Sequence, residues 1–115
     1  MINALSIFRQ LSDFYSENLD SQNPLTQHFC LVYARLIGRS DDVDSINYFE
    51  VEEFERFAVE FDNIECDFQD DFDSGEKTLK KAIKKFGVMK TFEHLDTLNY
   101  LAGMLDLVKE EKNNE

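Results

Sequence analysis

The chain has 115 residues, a formal net charge of −12, and 43% hydrophobic and 13% aromatic residues. That length and apolar content describe one domain able to bury a core without disulfides or metals, and they exclude a globally disordered chain. No apolar run reaches the roughly 18 residues that a transmembrane helix needs. The start, Met1 to Arg9, also lacks the basic and apolar regions of a signal peptide, so a cytoplasmic protein is expected.

Residues 2–17 predict a first helix, with Leu5, Phe8, Leu11 or Ser12, and Phe14–Tyr15 recurring at the three-to-four spacing of one face. A polar connector over Asn18 to Gln22 leads to Asn23-Pro24. Asparagine can cap a helix, and proline at the first helical position has no needed donor to lose. Leu25, Phe29, Val32–Tyr33 and Leu36–Ile37 mark the second helix, which Gly38 is placed to end. After a charged loop, Val51, Phe54, Phe57–Ala58 and Phe61 predict a third helix. Beyond Phe61 two readings stay open. Ile64, Phe68 and Phe72 continue the helical period, whereas Phe57–Phe61 and Ile64–Phe68 alternate around Asp62-Asn63 at hairpin spacing.

Asp73 with Glu76 outlines a capping box for a fourth helix over Ser74–Phe86, stopped by Gly87. The fifth runs from about Thr91 to Lys109, with Phe92, Leu95, Leu98, Ala102, Leu105 and Val108 on one stripe and Leu101, Met104 and Leu107 on a second. A helix apolar around so much of its circumference is central to a bundle or pairs with a second copy. Residues 110–115 should fray. The expected fold over residues 1–115 is therefore an all-α single-domain bundle of four or five helices. The alternative is an α+β domain with a small hairpin around residues 57–68.

Charge is distributed unevenly. Residues 41–73 hold 14 acids and one basic residue, Arg56, for a formal charge of −13, with six of the eleven phenylalanines. An acidic run without apolar residues reads as a tail; one laced with rings can fold into a dense negative surface. Such a surface attracts basic partners and repels nucleic acid and anionic membrane. The helix that follows carries five lysines, Lys77, Lys80, Lys81, Lys84 and Lys85. With no arginine or stacking aromatic among them, they are expected to neutralise the acids rather than to bind phosphate.

Catalytic and metal signatures do not appear in the sequence. The calcium-loop pattern started at Asp70 meets Phe72 and Lys81 at ligand positions, and started at Asp71 it meets Gly75 and Ala82. Cys30 and Cys66 are read as two buried free thiols. With His28 and His94 they lack the short pairings of a zinc site. No nucleophile elbow, phosphate loop or paired His–Glu motif is present. No cofactor, metal or catalytic residue is expected.

What remains is binding. In size, charge and absence of chemistry the chain resembles the immunity proteins of nuclease toxins and phage-encoded nucleic-acid mimics. The expected function is occlusion of a basic partner, a nuclease toxin or a nucleic-acid-binding protein, with no direct contact to nucleic acid or membrane. Contact residues are expected off the apolar stripe of the block, at Glu52, Glu53, Glu60, Asp62, Glu65, Asp67, Asp70 and Asp71. The alternative is a structural or adaptor protein that forms a homodimer through its last helix, with acidity serving solubility. Mutual repulsion of so many acids further predicts a fold that gains stability as pH falls from 7 towards 5.

Overall fold

Among the described residues five helices form: α1 (Ala4–Glu17), α2 (Pro24–Leu36), α3 (Tyr48–Asp67), α4 (Ser74–Phe86) and α5 (Val88–Asn113). The computed structural model describes residues 2–113, and among them there is no strand. The all-α bundle is thus the fold, and the hairpin alternative at residues 57–68 is overturned. Asp62 and Asn63 are poor helix formers, yet α3 runs straight through them. The reason is tertiary. Phe54, Phe57, Phe61 and Ile64 share one buried side of a helix, and a strand would turn alternate members of that set to solvent.

The termini follow local chemistry at some positions and not at others. The Asn23 side chain accepts from Leu25 N at 2.9 Å and Thr26 N at 3.1 Å, with Pro24 opening α2. Asn47 caps α3 in the same way through Phe49 N at 3.0 Å. Gly87, at φ +89°, ends α4 in a region that favours glycine, and α5 begins at the next residue. The capping box at Asp73 does not form. Its side chain makes no cap hydrogen bond and instead pairs with Lys77 at 3.3 Å. At the other end of the chain α5 continues past Lys109 to Asn113, while the fraying expected at 114 and 115 lies outside the described residues.

Helices α1, α3, α4 and α5 close a ring of neighbours, and α2 packs against α1 and α5. Aromatic side chains fill the centre. Phe57 lies against Phe61, Phe86 and His94, with ring centroids 5.8, 4.9 and 4.9 Å away, and Phe54 stacks on Phe8. Burial on this scale stabilises by about 1.5–3 kcal/mol for each fully enclosed large side chain. The inward side of α5 centres on Leu98 and Leu101, so Phe92 and Leu107, expected on its buried stripes, are exposed. Cys30 is buried as expected; Cys66, on the polar side of α3, is exposed, and both are free thiols.

No described helix is long and apolar enough to cross a membrane.

Candidate functional site

The eight carboxylates singled out in the sequence fall into three groups. Asp62 accepts from Ala4 N at 2.8 Å and Leu5 N at 3.1 Å, and Glu65 accepts from Ile2 N at 3.0 Å. Both therefore serve the start of α1, where free backbone donors and the helix dipole favour an anion. Three others face α4: Glu60 meets Lys85 at 3.6 Å, Asp67 meets Lys81 at 3.5 Å and Asp71 meets Lys77 at 3.0 Å. The lysine helix thus balances the C-terminal half of the acidic block. Glu52, Glu53 and Asp70 are exposed and have no ion-pair partner among the described residues.

Unpaired acidity consequently gathers on the first half of α3 and the loop before it. Glu50, Glu52, Glu53 and Glu55 are exposed, as is Asp44. Beside them Tyr48 is 72% and Phe49 82% exposed, an unusual setting for two large rings at a helix start. The two rings form an exposed apolar patch rimmed by carboxylates.

A cleft of about 310 Å³ opens next to this patch. Helix α1 supplies Phe8, Ser12, Tyr15 and Ser16, α2 supplies Tyr33, and α3 supplies Tyr48, Val51 and Glu55; Val43, Asp44 and Ile46 come from the loop. That loop is pinned at both ends. Asn47 N bonds Gly38 O at 2.9 Å, Ser40 N bonds Ala34 O at 3.0 Å, and Arg35 meets Asp41 at 3.3 Å. Gly38 packs so closely on Ile46 that an added Cβ would sit 2.7 Å from the Ile46 Cβ. Glycine here lets the loop fold back over α1 and α2 and wall the cleft.

Tyr15 and Tyr33 stack with ring centroids 4.4 Å apart and planes 22° from parallel. The Tyr15 hydroxyl donates to the Val43 carbonyl, and the Tyr33 and Ser12 hydroxyls share a hydrogen bond at 2.8 Å. Burial pushes the Tyr15 phenol up to about 12, helped by Cys30, Tyr33, Tyr48 and Asp44. Burial likewise raises Tyr33, against a lowering by its bond to Ser12. The cleft is lined by two carboxylates, aromatic faces and hydroxyls, without lysine, arginine, histidine or cysteine. Such a set offers acceptors, rings and apolar contacts to a ligand. Among the described residues no group of three or more His, Cys, Asp or Glu side chains is arranged to hold a metal ion.

The contact between α3 and α5 holds a histidine. His94 lies flat on Phe54, with centroids 4.5 Å apart and planes 7° from parallel, and its pKa falls to about 4. Burial is the main cause; Lys90 and Arg39 add to it and Glu53 opposes it. His94 is a half-buried ring packed against Phe54 and Phe57.

In the sequence Tyr15, Tyr33 and Tyr48 belong to three separate segments, so nothing in their spacing marks them. The one available signal was Tyr48-Phe49 directly after a helix cap, an apolar pair where a first turn is normally polar. No known protein family, no curated protein and no solved structure matches this chain.

Proposed function

We propose that this chain is a stoichiometric binding protein that docks the first half of α3 onto a basic surface of another protein and occludes it. One observation carries the reading: unpaired carboxylates at Asp44, Glu50, Glu52, Glu53 and Glu55 surround the exposed rings of Tyr48 and Phe49. A solubilising face has no use for the rings, and a hydrophobic interface has no use for the acids. Together they match a hot spot of aromatic anchors inside an electrostatically steering rim. A nuclease toxin or a nucleic-acid-binding protein presents the complementary surface, because it must attract phosphate. Immunity or inhibitor protein is therefore the class we favour, acting in the cytoplasm, where Cys30 and Cys66 stay reduced. The test is the association rate with a captured basic partner at low and physiological salt. A steep fall with salt supports docking through charge, whereas a rate indifferent to ionic strength removes it.

Self-association through α5 is the second reading. Met89, Phe92, Tyr100 and Leu107 are all exposed, and above Gly103 there is open space. Glu93, Asp96 and Asp106 are exposed on the same helix and oppose a like-charged copy. Sedimentation equilibrium decides: a monomer at high micromolar concentration ends this reading. A dimer that Leu107→Lys dissociates sustains it.

A further inference from the structure

We propose that the cleft between α1, α2 and α3 receives one arginine side chain of the basic partner, its guanidinium against the exposed Tyr48 ring and its charge met by Asp44 and Glu55. The inference rests on the occlusion reading above and adds to it the chemical group that anchors the partner.

Four features of the cleft select that group. Its volume, about 310 Å³, is at the lower end of small-ligand pockets and suits a single side chain. Its charge has one sign, with Asp44 and Glu55 in the lining and no cation, so an anion is excluded. Acceptors outnumber donors, because Asp44 and Glu55 bring carboxylate oxygens, the Tyr15 hydroxyl proton is committed to Val43 O, and one of the Ser12 and Tyr33 hydroxyl protons is used between those two groups. The occupant must therefore bring donors. Finally, the exposed Tyr48 ring attracts a cation through its quadrupole, with the Tyr15–Tyr33 stack behind it, while Val43, Ile46 and Val51 suit a methylene stem.

Guanidinium fits these features better than ammonium. It is planar, so it can lie on a ring; it is weakly hydrated, so it loses less on entering a half-closed cleft; and its five donors can reach dispersed acceptors. Lysine presents a single, strongly hydrated point charge.

The experiment titrates the full chain with N-acetyl-arginine amide and, separately, with the neutral isostere N-acetyl-citrulline amide, following the tyrosine ring resonances by NMR. Shifts at Tyr15, Tyr33 and Tyr48 with arginine, at least about fivefold weaker with citrulline, support the cleft. Tyr48→Ala and Glu55→Gln should each weaken arginine binding about fivefold. Both residues are exposed, so the fold is kept, as an unchanged melting temperature would show. Equal binding of citrulline, or shifts confined to the Glu52–Glu53 surface, overturns the proposal. Partner binding separates this inference from the reading beneath it. A partner lost on Glu52→Gln with Glu53→Gln but retained by Tyr48→Ala with Glu55→Gln overturns the arginine cleft and leaves occlusion standing. A partner indifferent to the first pair, with arginine still bound in the cleft, supports the cleft and overturns docking through the acids on the first half of α3.

Discussion

Asp62 of α3 caps the start of α1, accepting from Ala4 N at 2.8 Å across 58 residues of sequence. Helix α1 needs this help because its own N-cap residue, Asn3, is left-handed at φ 56° and makes no side-chain cap bond. The positive end of the α1 dipole favours the charge of the acid at this position. Asp62→Ala should therefore cost about 1–2 kcal/mol in urea unfolding, as for an ordinary N-cap, with Asp62→Asn retaining part of it. Affinity for a partner should be unaffected. A variant of wild-type stability and weakened binding would return Asp62 to the contact surface.

His94 makes stability depend on pH in a definite direction. Its folded pKa, about 4, lies below the ordinary 6.5, so between these values the unfolded chain binds the extra proton. Stability contributed by neutral His94 is complete above pH 6.5 and is lost as pH falls from there towards 4. The loss is at most about 3 kcal/mol from the size of the shift. This runs opposite to the gain expected from repulsion among the acids, and the ion pairs of Asp67, Asp71 and Glu60 with α4 lysines already relieve part of that repulsion. Melting temperatures should fall from pH 7 to pH 5 in the wild type and fall less in His94→Phe, which keeps a stacked ring without a titrating group. A parallel fall in both proteins would assign the effect to the carboxylates instead.

The helices were legible where the local chemistry and the hydrophobic period agreed, as at Asn23-Pro24 and Ser74–Phe86. Legibility failed where a distant partner decides the outcome. Asp62-Asn63 reads as a turn because nothing nearby shows that α1 will supply donors to Asp62. Asp73 reads as a cap because nothing shows that its carboxylate will turn to Lys77. The site follows the same division. The charge of the block is visible in one dimension, but which acids are spent internally depends on where α4 and α1 lie. The tyrosine cleft exists only once α1, α2 and α3 meet.

Gly38 tests whether that cleft is built by its loop. A methyl group at this position would stand 2.7 Å from the Ile46 Cβ and 2.9 Å from the Ala34 carbonyl oxygen, closer than real contacts allow. Gly38→Ala should cost about 1–3 kcal/mol through overpacking and push residues 39–46 away from α1. The stability loss shows in unfolding. The displaced loop should show as altered NMR resonances at Tyr15 and Tyr48, while those of Leu98 and Leu101 on α5 stay put. Resonance changes spread evenly over the core would mean that the loop does not move independently.

The two halves of the acidic block should respond oppositely to substitution. Asp67 and Asp71 are paired with Lys81 and Lys77, so Asp67→Asn with Asp71→Asn removes internal attractions and leaves Lys81 without its ion pair and Lys77 with Asp73 alone. That variant should melt at a lower temperature and bind a basic partner almost as fast as the wild type. Glu52 and Glu53 have no ion-pair partner among the described residues, so Glu52→Gln with Glu53→Gln removes only repulsion and steering. Its melting temperature should hold or rise, and its association rate at low salt should fall about fivefold, a difference that shrinks at physiological salt as screening takes over. The crossing of the two readouts is the informative result, since net charge changes by two in both proteins. If both variants slow association equally, only overall charge matters and the docking patch on α3 has no special place. If the Asp67 and Asp71 variant alone binds slowly, the interface lies on the α4 side of the block, and Tyr48 and Phe49 are exposed for some other reason.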